Sequence, residues 1–122
     1  MKPETLENVR FELRRGSLIL AVLAELQNER YGYLLRKELA NRGLDIDENT
    51  LYPLLRRLES QGLLSSQWRE EHKRRKRFYR ISADGKMVLQ QLIHEWEAIN
   101  LSLRRIVDRE PTVGQYETAA HR

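Results

Sequence analysis

The spacing of hydrophobic positions changes along this chain, and each spacing predicts a different element. In the first fifteen residues, apolar side chains recur at helical spacing among charged ones, which predicts a short amphipathic helix. From Leu18 to Leu26 nearly every position is apolar, which predicts a separate helix that is buried on all sides at the centre of the domain. A polar break follows at residues 28–30, and a further helical pattern then runs from Tyr31 to about Gly43.

The sixteen residues from Asn49 predict one short helix with two different faces. Its leucines fall at i, i+3, i+4 and i+7 and form a stripe that must be buried: Leu51, Leu54, Leu55 and Leu58. The opposite face carries Tyr52, Pro53, Arg56 and Arg57. We expect Asn49 or Thr50 to cap the helix, Pro53 to lie in its first turn, and the helix to end near Gly62. Such a helix packs through one face and offers the other to an anion.

Beyond Gly62 the spacing becomes the alternation of β-strands. Residues 64–68 alternate, and residues 77–81 alternate again after a charged stretch, which predicts a hairpin with a long charged tip. Ser82 is expected to cap a last helix that continues to about Asp108. The predicted fold is therefore mainly α with a small β-hairpin.

The apolar residues of the last helix follow the heptad spacing of a coiled-coil seam. They step alternately by three and four positions and comprise Leu89, Leu92, Trp96, Ile99, Leu103 and Ile106. A helix of about 26 residues is about 39 Å long, which exceeds what a domain of this size can cover alone. We therefore expect part of this helix to contact a second chain. The apolar residues of the first helix, Leu6, Val9 and Leu13, also need a partner surface.

Composition narrows the class of protein. The 122 residues are enough for one small domain, and a net charge of +4 with a pI near 9.6 favours a polyanionic partner. The absence of cysteine excludes disulfides, thiolate metal sites and cysteine nucleophiles. The longest apolar run, from Ser17 to Leu26, is far below the about 20 residues of a membrane span. We expect a cytoplasmic protein with no membrane partner.

Neither a metal centre nor an active site is expected. The three histidines, His72, His94 and His121, are scattered without a second ligand at metal-binding spacing. No glycine-rich phosphate loop is present, and no nucleophile, base and oxyanion stabiliser can be assembled. We predict no enzyme activity, no metal and no cofactor.

Basic residues concentrate in the hairpin, which follows three predicted helices. They are Arg69, Lys73, Arg74, Arg75, Lys76, Arg77 and Arg80. Taken alone, such a run is equally consistent with a solvated charged loop. However, three helices followed by a hairpin is the plan of a winged helix-turn-helix, in which the third helix enters the DNA major groove and the hairpin lies along the phosphates. The anion expected beside the helix from Asn49 is therefore duplex DNA.

Several segments resemble the PadR-like family of winged-helix transcriptional regulators, in the family's order from about Gly16 to Trp96. They are YGYLLRKELANRGL from Tyr31, NTLYPLLRRLESQGLL from Asn49, RRKRFYRIS from Arg74, and ADGK from Ala83 with Trp96 beyond it. The resemblance implies a bacterial DNA-binding homodimer, usually a repressor, whose N-terminal and long C-terminal helices build the dimer. We divide the chain into a winged helix-turn-helix with its N-terminal helix (1–82), a dimerisation helix (83–109) and a flexible tail (110–122).

The resemblance also implies a set of DNA contacts. On the helices these are Tyr33, Thr50, Tyr52, Pro53 and Arg56, and in the wing they are Lys73, Arg74, Arg75, Lys76 and Arg77. Asn49 is assigned to the same set of DNA contacts; it stands where relatives usually have glycine, and it can fill the same need as a cap or as a left-handed residue. The wing tip, EEHKRR from Glu70, replaces the glycine and proline common in relatives. Arg56 shares a face with Tyr52, whereas Arg57 can equally pair with Glu59 or Glu48.

Three hypotheses about partners follow from these patterns. The first is a homodimer that reads an inverted-repeat operator, with its recognition helices about one DNA turn, ~34 Å, apart. The resemblance implies a variant of it, since some small relatives bind flat aromatic compounds between the paired tryptophans of the dimer: a flat aromatic effector in a pocket formed by Leu92, Trp96 and Ile99, where plain packing of Trp96 is the alternative. The second is a coiled-coil adaptor that binds another protein through the C-terminal helix. The third is an architectural protein that binds any DNA sequence about equally.

Overall fold

Four helices and a three-stranded antiparallel sheet make up the computed structural model, which describes residues 1–109. The elements are α1 (Pro3–Glu25), β1 (Arg30–Tyr31), α2 (Gly32–Asn41), α3 (Glu48–Ser60), β2 (Leu64–Glu71), β3 (Arg74–Ile81) and α4 (Ala83–Val107). This arrangement is a winged helix followed by a long C-terminal helix, as predicted. The tail expected at residues 110–122 lies outside the described residues.

The N-terminal part of the chain is one helix, and the prediction of two separate helices was wrong. Gly16 lies inside α1, where a glycine costs only about 1 kcal/mol relative to alanine and does not by itself end a helix. The next residue, Ser17, donates from its hydroxyl to the carbonyl of Arg14 at 2.8 Å and stays helical. Leu18 and Val22 of the second half are buried in the core, whereas the first half is exposed.

The helix α3 packs through its leucine stripe, as predicted: Leu51, Leu54, Leu55 and Leu58 are all buried in the core. Its predicted cap was wrong. Asp47 caps the helix and accepts a hydrogen bond from the backbone N–H of Thr50 at 2.8 Å. The helix consequently begins at Glu48, and Pro53 lies in the second turn rather than the first. There Pro53 removes the N–H that would pair with the carbonyl of Asn49, an exposed residue.

The sheet has one strand that the pattern did not predict. The strands lie in the order β1-β3-β2, and β1 consists only of Arg30 and Tyr31, opposite Tyr79 and Phe78 respectively. Two residues are too few to show alternation. Pairing with β3 defines this strand, and it places α2 directly beside the hairpin.

The hairpin, which we call the wing (residues 64–81), has a shorter tip than the sequence predicted. The charged stretch continues both strands up to the pair Glu71 and Arg74. His72 and Lys73 alone form the turn, with φ values of 51° and 63°. Positive φ at both central residues is characteristic of the type I′ turn, whose twist matches that of the flanking strands. The basic residues therefore lie on regular strands, where their directions are determined by alternation.

The last helix begins as predicted and packs against its own chain only in its first part. Ser82 caps α4 by accepting a hydrogen bond from the N–H of Gly85 at 2.9 Å, and its hydroxyl donates to the carbonyl of Gly62 at 2.6 Å. Leu89, which we assigned to the dimer seam, is instead buried in the core of its own chain, and Leu92 packs against that core. Beyond Leu92, α4 projects from the core into solvent.

Candidate nucleic-acid interface

The outward face of α3 and the wing line one groove of about 920 Å³, which we call the wing groove. It contains seven of the predicted DNA contacts, namely Tyr33, Tyr52, Arg56, Arg74, Arg75, Lys76 and Arg77. Residues that the sequence analysis did not assign also line it: Tyr31, Gly32, Trp68, His72 and Tyr79. The fold thus brings tyrosines from two helices and a basic strand to a single surface.

The Tyr52 ring packs against the edge of the core and lies close to Gly32 at the start of α2. A Cβ atom built at position 32 would lie 2.6 Å from Cε1 of Tyr52, much closer than real Cβ contacts. Glycine is therefore required for the ring to lie across the start of α2. From the sequence, Gly32 was only one position of the helical pattern that runs from Tyr31 to about Gly43.

Arg56 and Arg57 lie on the exposed side of α3, and Arg57 does not form the ion pair with Glu59 or Glu48 that the sequence allowed. The two carboxylates considered for Arg57 are engaged elsewhere, because Glu48 lies 3.7 Å from Arg36 and Glu59 pairs with Arg77 at 2.8 Å. No carboxylate of residues 1–109 lies within ion-pair distance of Arg56. Its guanidinium is consequently available to an external anion at the groove.

Arg77 is the basic residue of the wing that pairs with a carboxylate of α3. Its Nη2 donates to Oε1 of Glu59 at 2.8 Å, and its Nε donates to Oγ of Ser66 at 2.9 Å. The Ser66 hydroxyl in turn donates to the second oxygen of Glu59 at 2.5 Å. Beside this network, burial raises the pKa of the Tyr79 phenol above its ordinary value.

On the face of the sheet opposite to Arg77, cations stack on aromatic rings. Nζ of Lys76 lies 4.1 Å from the centre of the Tyr31 ring, and the guanidinium of Arg69 lies 3.9 Å from that of Phe78. Arg69 also hydrogen-bonds Glu29, which lowers the pKa of that carboxyl. Lys76 is further paired with a wing carboxylate at 3.3 Å. These contacts explain how Arg69 and Lys76 tolerate being directly opposite each other in the hairpin register.

The geometry is that of a DNA-binding winged helix, and comparison with known proteins agrees. Residues 19–91 match the model of the Transcriptional regulator PadR-like family. The chain belongs to the PadR-like family. Proteins of this family are transcriptional regulators and not enzymes, as the sequence predicted.

Relatives of this PadR-like chain are found among both sequences and solved structures. Transcriptional regulator Rv3488 of Mycobacterium tuberculosis is 38% identical over 79 residues, which cover 64% of this chain and 74% of the relative. A PadR family transcriptional regulator from Eggerthella lenta has a TM-score of 0.83 at 38% identity, covering 88% of this chain and 96% of that structure. A transcriptional regulator from Clostridium thermocellum has a TM-score of 0.73 at 31% identity, covering 80% and 99%.

Four of the predicted DNA contacts do not line the wing groove of this PadR-like chain. Asn49 and Pro53 are exposed on the first two turns of α3, and Lys73 is at the tip of the wing. Thr50 lines a different cleft, between α1 and the loop before α3. None of these four residues lines the wing groove, and their role as DNA contacts stays a prediction.

Trp68 is the main groove residue that the sequence analysis missed. It lies directly opposite Arg77 in the hairpin and is about half exposed. The guanidinium of Arg75 lies 5.2 Å from the centre of its ring. In the sequence, Trp68 was only the last position of the alternating residues 64–68. The register with β3 was the signal that would have placed it among the basic residues.

The predicted dimer seam of this regulator is exposed beyond Leu92. Trp96 is 47% exposed. The other exposed residues of the predicted seam are Ile99, Leu103 and Ile106 of α4 and Leu6, Val9 and Leu13 of α1. The effector pocket was predicted from Leu92, Trp96 and Ile99. Trp96 and Ile99 lie at the surface of the single chain, so a second chain would be needed to enclose such a pocket. The aromatic effector stays a prediction.

Within residues 1–109, no three histidine, cysteine or acidic side chains are grouped so that they could hold a metal ion. In the same range, no helix is both long and apolar enough to cross a membrane.

Proposed function

We propose that this PadR-like regulator is a homodimeric repressor that binds an inverted-repeat operator in duplex DNA. The observation that carries the proposal is the wing groove, because it joins the outward face of α3 to the basic strand of the wing. An α-helix fits the major groove of B-DNA, and a basic hairpin beside it can reach the neighbouring phosphates. Helix and wing would then contact one half-site together.

Within this proposal, Arg56 has the most specific role. It is exposed, unpaired among the described residues, and one helical turn from Tyr52 on the same face of α3. A guanidinium in that position can donate two hydrogen bonds to a guanine or bind a phosphate. Exposed basic residues of the wing, such as Arg74 and Arg75, neutralise phosphates without reading sequence.

The exposed apolar residues of α1 and α4 support the second part of the proposal, the homodimer. On α4 they recur at heptad spacing over the half of the helix that leaves the core, and three of them are Trp96, Ile99 and Leu103. Such a stripe is expected to be covered by an equivalent stripe of another copy. A symmetric pair of recognition helices would require an operator with inverted-repeat symmetry.

Selection of bound duplexes from a random library tests the proposed function. We expect enrichment of an inverted repeat and, for Arg56→Ala, a loss of affinity of about 5- to 150-fold, which corresponds to the about 1–3 kcal/mol of a base contact. Arg57→Ala is the matched control, since it removes the same charge from the next position of α3. Absence of any enriched sequence would refute specific recognition, and equal losses for the two variants would refute the role of Arg56.

A second prediction concerns Gly32. Because a Cβ atom at position 32 would overlap the Tyr52 ring, Gly32→Ala should displace the ring from the wing groove. We expect operator affinity to fall about tenfold, while the free energy of unfolding changes by less than about 1 kcal/mol, since alanine favours the helix. The control is Gly32→Ala combined with Tyr52→Ala: if Gly32 acts through Tyr52, it should have no further effect in that background. Additive losses of affinity would contradict this explanation.

A further inference from the structure

Two arginines of β3 point to the same face of the sheet but have different surroundings. Arg75 and Arg77 are two residues apart, which places both on the side of Trp68. Both guanidinium groups lie near the Trp68 ring, at 5.2 Å from its centre for Arg75 and 5.7 Å for Arg77, but Arg75 has no ion-pair partner among residues 1–109. Arg77 instead pairs with Glu59 and hydrogen-bonds Ser66. The sequence pattern cannot distinguish these two residues, whereas their contacts do.

The contacts of Arg77 form a closed triangle that joins three elements. Glu59 belongs to α3, Ser66 to β2 and Arg77 to β3, and each of the three side chains is hydrogen-bonded to the other two. The side chains of Arg77 and Glu59 are 34% and 25% exposed, so the pair is partly shielded from water. The charge of Arg77 is compensated inside the protein, and two of its N–H groups are already used.

The position of the triangle determines what it can control. Arg77 is opposite Trp68, and the strands continue for three more residue pairs beyond it, up to Glu71 and Arg74. That distal part of the wing carries Arg74 and Arg75, which are exposed. The hydrogen bonds between α3 and the middle of the wing therefore fix the direction in which the distal part of the wing points relative to α3.

We propose that Arg77 is a positioning residue, which with Glu59 and Ser66 clamps the wing to the recognition helix, and that it does not itself neutralise a phosphate. The role rests on the proposed function, since it concerns how α3 and the wing fit one duplex together. Glu59 is one helical turn from Arg56, so the clamp relates the base-reading side chain directly to the phosphate-binding strand. Precise placement of two contact surfaces raises specificity because both can then engage without distortion.

The clamp can be tested first in the free protein, independently of DNA. The variants are Arg77→Gln, Glu59→Gln and the double variant, with Arg75→Gln as the matched control on the same strand and face. We expect hydrogen-exchange protection of the amides of residues 69–76 to fall about tenfold in each clamp variant, to fall no further in the double variant, and to stay unchanged in the control. Unchanged protection, or losses that add in the double variant, would overturn the clamp whether or not the protein binds DNA.

The second test measures DNA binding at several salt concentrations, with the selected duplex and a scrambled one. For Arg77→Gln we expect the slope of log affinity against log salt to be unchanged, while the ratio of specific to nonspecific affinity falls about tenfold. For Arg75→Gln the slope should become less steep by about 0.9, while the ratio of specific to nonspecific affinity stays unchanged. The same decrease for Arg77→Gln would make it a phosphate ligand and overturn the proposal. A wild-type protein with no salt-dependent DNA affinity would instead refute the proposed function and leave the result on the free protein standing.

Discussion

Gly85→Ala is expected to destabilise the folded chain by about 2–3 kcal/mol, near the upper end of what overpacking costs. A Cβ atom at this position would lie 2.2 Å from the carbonyl oxygen of Leu63 and 2.7 Å from Cγ1 of Ile81. The oxygen belongs to the backbone and cannot rotate away, so α4 must shift. That shift would also strain the hydrogen bonds by which Ser82 joins the start of α4 to Gly62 and Leu63.

The same substitution at Gly16 is the control for Gly85→Ala and should have the opposite sign. Gly16 lies inside α1 with no atom within 4 Å of its Cβ position, so alanine adds helix propensity without a clash. We expect Gly16→Ala to raise the free energy of unfolding by up to about 1 kcal/mol. Urea unfolding at equal protein concentration measures both values. A Gly85→Ala variant as stable as the wild type would show that α4 does not need this close approach.

The elements that could be predicted from the sequence are those whose periodicity is set within a few turns. The stripe of α3 was predicted because four leucines at helical spacing have only one way to be buried. The strand β1 could not be predicted, because two residues have no period and their conformation depends on pairing with β3. The division of α1 into two helices was wrong because its charged half and its apolar half differ in environment, not in backbone structure.

Errors at the start of α3 have a similar physical origin. The segment from Asp47 to Thr50 contains three side chains that can cap a helix, and spacing alone does not choose between them. The choice of Asp47 depends on where the preceding loop enters. Arg36 of α2 contributes there by donating to the carbonyl of Ile46 at 3.2 Å. A contact with a residue ten positions earlier is not visible in a local pattern.

The sequence predicted which residues form the candidate site, but it did not predict which of them contact DNA and which are paired inside the protein. Alternation places Arg75 and Arg77 on one face, but only the fold brings Glu59, eighteen positions before Arg77, to one of them. Leu89 has the same spacing as the rest of the seam, yet it is buried because α4 still packs on the core at that point. Periodicity therefore identifies a face of an element, whereas the identity of its partner is a property of the tertiary structure.

Leu103→Asp is expected to convert the proposed homodimer into monomers and to lower operator affinity about 100-fold or more, because two linked half-site contacts become one. Leu103 lies on the heptad seam and is 49% exposed in the single chain. The substitution therefore costs the monomer little, whereas a dimer would have to bury two carboxylates in an apolar interface. Sedimentation equilibrium measures the association, and titration of the selected duplex measures the affinity.

Leu101→Asp is the matched control for this prediction. It makes the same exchange two residues earlier on α4, at a leucine that is 54% exposed and lies on the side of the helix opposite the seam. We expect this variant to remain dimeric and to bind the operator as the wild type does. If both variants dissociated, the interface would extend around α4 and would not follow the heptad seam. If neither dissociated, the exposed stripe of α4 would not be the dimer contact, and the spacing of the recognition helices would have to be set by another surface.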